Sequence, residues 1–287
     1  MPGRHQERNG SIMSVRTLGV VLFDAAEAAW LVDRAADVAL AFDAHLIALH
    51  PFSPVIWANG LGGEAVYFDS MLEWEEKEAG KIRTVFDEAL RRNGLQGELR
   101  AQGDLYGAEP FVVGGVRGAD VVILGATADR SPDGRLLAQR VVRESGRPAL
   151  IMGMEAQLRA PARRIVIGWT DTREATRAAH DALRLAAPGA EIALVSFHGR
   201  ASEVARGLSG RDDLAAALDR AGFKVAAADQ LSSSDGLPDA LVRFAREREA
   251  ELLVTGAFGH SQIYDLLVGA VTRDLMDHAD LPILLSR

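Results

Sequence analysis

Apolar and polar positions along the chain follow a pattern that predicts strands and helices in regular succession. Short apolar runs such as Leu18 to Phe23 and Leu252 to Val254 are typical of strands that are buried on both faces of a parallel sheet. Other stretches, such as Ala25 to Phe42, repeat their apolar residues at helical spacing. Strands that alternate with helices predict an α/β fold, in which a mainly parallel sheet carries helices on both faces.

The whole pattern occurs twice. Three pairs of segments match in the same order: those that begin at Arg16 and Arg163, at Ala119 and Ala250, and at Gly146 and Asp280. Matches repeated in one order indicate a duplicated domain. We therefore predict a disordered tail at 1–15, a first domain at 16–154, a linker at 155–163 and a second domain at 164–287.

Some segments have a less regular pattern. Pro51 to Tyr67 contains several prolines and glycines, and it predicts an irregular segment that is either a lid or a decoration of the first domain. A helix from Phe68 to Asn93 is expected to follow it. In the second domain we predict helices from Glu174 to Ala186 and from Ala270 to Ala279.

Composition narrows the classes of function. The chain has 287 residues, 48% of them apolar, and contains no cysteine, so thiolate chemistry and disulfides are excluded. No run approaches the roughly 18 apolar residues of a membrane-spanning helix, and the first 15 residues lack the apolar core of a signal peptide. A net charge of −8 disfavours nucleic-acid binding, which depends on Lys and Arg. We expect a cytoplasmic protein that binds neither membranes nor nucleic acid.

The most informative chemistry lies in a glycine-rich stretch near the C-terminus. Gly256 follows the apolar run Leu252 to Val254, and Gly259 and Gly269 follow at intervals of two and nine intervening residues. Glycines after a parallel strand let a phosphate approach the backbone, and a helix that starts after Gly269 would point its free N–H groups at it. The hydroxyl of Thr272 falls in that first turn. The alternative is that the glycines serve only tight turns and close packing of strand against helix.

This stretch resembles the universal stress protein superfamily, whose nucleotide-binding members carry Gly-x2-Gly-x9-Gly-Ser/Thr after the fourth strand. The three glycines match, whereas Ala270 stands where the pattern has Ser or Thr. The resemblance implies two tandem Rossmann-like domains, each a five-stranded sheet in the order 3-2-1-4-5. It also implies pairing through the fifth strands, either between chains or as an internal pseudo-dimer.

The resemblance implies a nucleotide site near an aspartate that ends the first strand. In the first domain Asp24 matches that position, whereas in the second Thr170 is expected to occupy it, with Asp171 one residue later. The alternative for both aspartates is that they cap the helices that follow. In the first domain Ala128 replaces the second glycine, and the Gly-Ser/Thr pair is missing. We expect the first domain to have lost the nucleotide loop.

Two functions stay open at this point. One is a stress-response regulator that binds ATP or another adenine nucleotide, with or without Mg²⁺, in the second domain. The other is a stress protein that binds no nucleotide and acts by dimerisation or through protein partners that the sequence does not name. The first would use Gly256, Gly259, Gly269, Ala270, Thr272, Thr170 and Asp171. No residues mark a nucleophile, a general base or a metal cluster, so an enzyme is the least supported class, with slow ATP hydrolysis as its limit.

Overall fold

The computed structural model describes residues 15–52, 64–103, 108–198, 209–231, 236–258, 270–277 and 279–287. The strands are β1 (Thr17–Val21), β2 (His45–Phe52), β3 (Gly97–Gly103), β4 (Val121–Gly125), β5 (Ala149–Met152), β6 (Ala162–Gly168), β7 (Ala186–His198), β8 (Lys224–Leu231), β9 (Leu252–Gly256) and β10 (Ile283–Ser286). The helices are α1 (Ala25–Phe42), α2 (Glu64–Asn93), α3 (Glu109–Gly115), α4 (Pro132–Glu144), α5 (Arg173–Ala182), α6 (Ser209–Arg220), α7 (Leu237–Glu247) and α8 (Ala270–Asp277). None of the described helices has the length and apolar character needed to cross a membrane.

The ten strands of the described residues form one sheet in the order β3-β2-β1-β4-β5-β10-β9-β6-β7-β8. Each half of the chain therefore has the predicted strand order 3-2-1-4-5. Neighbouring strands are parallel throughout each half, and only β5 and β10 pair in antiparallel fashion. The two fifth strands meet within one chain, which is the internal pairing that the pseudo-dimer interpretation implies. The α/β fold class and the tandem architecture are confirmed.

The apolar runs form the strands at the centre of the sheet because both faces there are covered. Every residue of β4, β5 and β10 is buried. One apolar cluster joins the sheet to α1, α2, α5 and α6, and a second joins its other face to α3, α4, α7 and α8. Burial of this kind, at about 25 cal/mol per Å² of apolar surface, is the main stabilising term in such folds.

Several predicted boundaries are wrong. Val15, which we assigned to the tail, is fully buried, and β6 begins at Ala162, inside the predicted linker. The helix expected from Phe68 begins at Glu64, so it includes the end of the segment predicted as irregular, whose residues 53–63 lie outside the described part. In the second domain α5 ends at Ala182, and β7 already begins at Ala186.

Candidate functional site

The two strands that precede the predicted site are neighbours in the sheet. β6 lies between β9 and β7, so connections leave its two sides in opposite directions. Ligands of open parallel sheets bind outside the carboxyl ends of the strands at such a switch point. The carboxyl ends of β6 and β9 carry Gly168 and Thr255, which are paired with one another. The residues that follow these two strands are therefore brought together at one edge of the sheet.

Gly256 ends β9 and packs directly against the first turn of α5. A Cβ atom on this residue would lie 2.7 Å from the backbone nitrogen of Ala175 and 2.8 Å from the carbonyl carbon of Glu174. Backbone atoms cannot yield at such distances, so only glycine fits here. The glycine brings the start of the glycine-rich stretch into contact with the loop that follows β6.

The hydroxyl of Thr272 is bound within its own domain and is not free to contact a ligand at the carboxyl ends of β6 and β9. Its side chain is buried, and its Oγ1 accepts a hydrogen bond from the backbone N–H of Phe258 at 3.3 Å. Phe258 has a φ of 52°, in the left-handed region that a bulky side chain rarely adopts. The first observed role of the Thr272 hydroxyl is therefore to hold the backbone just before Gly259.

Only part of the rest of the predicted loop falls within the described residues. Ala270 is the first residue of α8, so a helix does start immediately after the third glycine, as predicted. Gly259 and Gly269 lie outside the described residues. So do His260, Asp265 and His278, which are polar residues of the same stretch.

The sheet registers correct the predicted position of the aspartate. Leu18 pairs with Val121 in the first domain, and Ile165 pairs with Leu252 at the equivalent place in the second. The sixth residue after Leu18 is Asp24, and the sixth after Ile165 is Asp171. The prediction that Thr170 takes the place of Asp24 and that Asp171 is displaced is therefore wrong. The second domain has its aspartate at the position that the resemblance implies.

The two aspartates differ in what they do. Asp24 is the N-cap of α1, and its Oδ1 accepts the N–H of Glu27 at 2.8 Å. In the second domain Thr172 caps α5 instead, accepting the N–H of Ala175 at 3.2 Å. The capping alternative thus holds for Asp24 and is wrong for Asp171.

The side chain of Asp171 is exposed just beyond the carboxyl end of β6. It lies beside the first turn of α6, where a Cβ on Gly210 would be 2.5 Å from its Oδ1. Within the described residues it forms no hydrogen bond and no ion pair. The hydroxyl of exposed Thr170 lies 3.3 Å from that of Thr172, so it stays with the capping residue. Asp171 is therefore a predicted site residue whose carboxylate oxygens have no partner within the described part of the chain.

The equivalent place in the first domain is filled by an ion pair. Arg130 donates to the buried carboxylate of Glu27 and lies 4.0 Å above the ring of Phe23. Burial raises the pKa of Glu27, while Arg130 and the N–H of Phe23 oppose that shift. A Cβ on Gly125, the counterpart of Gly256, would lie 2.4 Å from the Glu27 carboxylate. Side chains therefore occupy the space at the end of β4. A phosphate bound there would need that space in order to reach the backbone N–H groups.

A cavity of about 540 Å³ adjoins this ion pair. Two arginines line it, Arg130 and Arg140, and each already has a carboxylate partner. Its acidic lining residues are Asp24, Glu109, Asp129 and Asp133. A phosphate would meet a negative field there, which agrees with the expectation that the first domain has lost its nucleotide loop.

A partly buried charge network that sequence reasoning missed lies at the ends of β7 and β8. Arg211 of α6 donates to both oxygens of Asp229, at 2.7 and 3.0 Å, and His198 lies 2.8 Å from Oδ1 of the same carboxylate. Hydrogen bonds from Arg211 and His198 lower the pKa of Asp229 to about 2, although burial opposes them. The sequence could not reveal this cluster because its members come from three separate elements. It anchors α6, the helix beside Asp171.

Other places give weaker candidates. A cavity of about 270 Å³ lies among Arg164, Glu191 and Lys224, at the amino ends of the second domain's strands and so at the edge opposite the ligand loops. Among the described residues there is also no group of three or more His, Asp or Glu side chains that could hold a metal ion.

Comparison with known proteins finds a family similarity in the second half of the chain. Residues 161–287 match the model of the universal stress protein family. These residues are the second domain, which is therefore similar to the universal stress protein family. No curated protein matches the sequence significantly.

Solved chains of similar size share the overall fold. One from Archaeoglobus fulgidus DSM 4304 is similar over 94% of this chain and 96% of its own, with a TM-score of 0.66 and 13% identity. A protein of unknown function from Pseudomonas aeruginosa PAO1 is similar over 96% and 93%, with a TM-score of 0.52 and 16% identity. A universal stress protein from Archaeoglobus fulgidus in complex with dAMP covers 48% of this chain and 98% of its own, with a TM-score of 0.34 and 14% identity.

Within this tandem chain the two halves are unequal. The family model falls on the half that keeps the glycine spacing. The other half has the same strand order, but Arg130 and Glu27 occupy the end of its fourth strand. The geometry therefore directs the search for a ligand to the second domain.

Proposed function

We propose that this universal stress protein is a stress-response regulator whose second domain, residues 164–287, binds ATP or another adenine nucleotide. The observation that carries the proposal is the carboxylate of Asp171 at the switch point of the sheet, which has no partner among the described residues. Because Thr172 caps α5, Asp171 is available to accept hydrogen bonds from a ligand hydroxyl or amino group.

The phosphate groups are assigned to the other side of the crevice. Gly256, Gly259 and Gly269 would let them approach the backbone, and the N-terminus of α8 would supply N–H groups and a favourable dipole. Ala270 stands at the start of this helix, so one hydroxyl of the family pattern is missing there. We expect weaker phosphate binding than in a domain with Ser or Thr at that position. Mg²⁺ would accompany a bound ATP through the phosphate oxygens.

A second candidate rests on a different observation. Gly256 is required by packing against α5, and the hydroxyl of Thr272 is bound to Phe258, so both residues have structural roles without a ligand. If Gly259 and Gly269 also serve only the loop, the domain binds no nucleotide. The protein would then act by association with itself or with protein partners.

The test starts with the nucleotide content of freshly purified protein. Denaturation followed by ion-exchange chromatography of the supernatant measures bound ATP, ADP and AMP, and calorimetry with ATP and Mg²⁺ measures the affinity. About one nucleotide per chain, or a saturable heat of binding, is the expected result. An empty protein that gives no heat at millimolar ATP would refute nucleotide binding and favour the second candidate.

A matched pair of variants assigns the site. Replacing Gly259 by Leu should abolish binding with little loss of stability, because a bulky side chain would block the approach of the phosphates. Replacing Ala128, its counterpart in the first domain, by Leu should leave the affinity unchanged. Equal loss in both variants would contradict the assignment to the second domain.

A further inference from the structure

Several contacts between described residues cross from one domain to the other, among them the Arg184–Asp120 ion pair and the hydrogen bond from Arg177 to the carbonyl of Gly146. Two of them, called the crossing contacts below, lie at equivalent places on either side of the β5–β10 pair. Leu150 and Leu284 face each other at the centre of that antiparallel pair. On each side, the loop after the fourth strand of one domain meets the helix before the fifth strand of the other. The backbone layout is thus nearly two-fold symmetric.

The first crossing contact is a hydrogen-bonded one. The hydroxyl of Thr127, after β4, donates to the carboxylate of Asp277 at the end of α8. The backbone N–H of Thr127 also donates to the carbonyl of Met276 at 2.8 Å. Thr127 is buried and Asp277 is half-buried, so this pair is partly shielded from solvent.

The second crossing contact has different chemistry. The guanidinium of Arg143, near the end of α4, lies 3.9 Å above the ring of Phe258, after β9. Phe258 is buried, and its N–H bonds to Thr272 of its own domain instead of crossing the junction. Arg287 adds a 3.4 Å hydrogen bond to the carbonyl of Arg143.

The residues of the two contacts occupy equivalent positions. Gly125 and Gly256 end equivalent strands, so Thr127 and Phe258, each two residues later, correspond. The helices correspond through their buried faces: Ala138, Val141 and Val142 in α4 and Thr272, Leu275 and Met276 in α8 have the same spacing. The next residues, Arg143 and Asp277, therefore correspond as well.

The junction is consequently symmetric in backbone and asymmetric in side chains. Pairing two copies of the first domain would place Thr127 opposite Arg143 twice and leave the hydroxyl without its carboxylate. Pairing two copies of the second would place the Asp277 carboxylate against the ring of Phe258, whose face is negative. Only the pairing of one domain with the other satisfies both contacts.

The strands themselves select no partner. The facing pairs Ile151–Ile283, Leu150–Leu284 and Ala149–Leu285 are all apolar, and backbone hydrogen bonds form with any strand. We propose that the two crossing contacts specify the partner of each domain: the fifth-strand surface accepts the other domain of this protein and rejects a second copy of the same domain.

The experiment uses the full chain with a protease site inserted between Arg159 and Ala160, both of which are exposed. After cleavage, the protein is held below its unfolding midpoint until the distribution of pairs stops changing, and native mass spectrometry counts the pairs. Random pairing would make about half of them mixed. If each contact favours the mixed pair about tenfold, mixed pairs should account for nearly all. A distribution close to random would overturn the proposal.

Exchange of the two charged residues gives the sharper test. In the variant R143D/D277R the introduced carboxylate matches Thr127 of an identical domain, and the introduced guanidinium matches Phe258 of an identical domain. The cleaved variant should therefore shift from mixed pairs to pairs of identical halves. A matched control, D33R/R92D, reverses an exposed ion pair within the first domain and should keep mixed pairs.

Two single variants test the same contacts in case the double variant R143D/D277R does not fold. R143A and D277A each remove one contact and should each lower the ratio of mixed to identical pairs about tenfold. Circular dichroism before cleavage verifies that each variant is folded. If neither single variant nor R143D/D277R changes the distribution, the crossing contacts do not select the partner.

Discussion

The two equivalent aspartates give a prediction that separates stability from binding. Asp24→Ala removes the acceptor that lies 2.8 Å from the N–H of Glu27, so α1 loses its N-cap. Loss of such a cap costs about 1 kcal/mol of unfolding free energy. With a urea dependence of about 2.5 kcal/mol per molar, the midpoint of unfolding should fall by about 0.4 M. The affinity for ATP should not change, because the first domain holds no nucleotide in our proposal.

Asp171→Ala should show the opposite behaviour. Thr172 still caps α5, so the free energy of unfolding should change by less than about 0.5 kcal/mol. The affinity for ATP should fall by at least about tenfold, since a hydrogen bond to a charged group contributes about 1.5–3 kcal/mol. Calorimetry and urea unfolding followed by circular dichroism measure the two quantities on the same preparations.

A third variant completes the comparison. Thr172→Ala removes the cap of α5 and leaves Asp171 in place, so it should lower stability like Asp24→Ala and keep most of the affinity. The reasoning fails if Asp171→Ala destabilises the protein as much as Asp24→Ala does. It also fails if Asp24→Ala alone weakens nucleotide binding.

Three further predictions concern other charged and polar groups. The folded pKa of Asp229 is about 2, below its ordinary 3.8, so its stabilisation is complete above pH 3.8 and should be lost as the pH falls toward 2. The free energy of unfolding, measured as a function of pH, should fall by about 1–2 kcal/mol over this range. A D229N variant that shows the same acid-dependent fall would contradict the assignment to Asp229. Arg130→Met should cost about 3–5 kcal/mol, because it strands the buried Glu27 carboxylate, and the double variant E27Q/R130M should recover most of that loss in urea unfolding. Ala270→Ser should tighten ATP binding about threefold to tenfold by restoring a hydroxyl donor, and an unchanged affinity in calorimetry would show that no phosphate contacts that position.

The fold followed from the sequence because its signals are local and repeated. Apolar runs of strand length alternate with stretches whose apolar residues have helical spacing, and this alternation predicts a parallel sheet. The same order of segments occurs twice, which predicts two domains. The boundaries were less predictable, since the end of a helix depends on tertiary packing. α5 stops at Ala182 although the alanine-rich pattern continues to Ala186, where β7 begins. We also did not predict α4, whose N-cap Ser131 and first residue Pro132 are nevertheless ordinary start signals.

The site was predicted only in part. The glycine spacing located the loop, and the helix after Gly269 begins as expected. Which residue caps α5 could not be read from Thr170, Asp171 and Thr172, because all three are common N-caps and only the backbone geometry distinguishes them. The charge network around Asp229 and the contacts across the domain junction depend on the pairing of distant segments, which no local pattern encodes.

The position of the antiparallel pair has a mechanical consequence. In most chains with two domains the boundary is the most pliable region, and the domains turn about a hinge. Here a continuous hydrogen-bond ladder runs from β5 into β10 through fully buried residues, and the connecting segment buries Ala156 and Leu158 beneath it. The amides of Leu150 and Leu284 should therefore be among the slowest to exchange with deuterium, and the two halves should open together rather than swing apart.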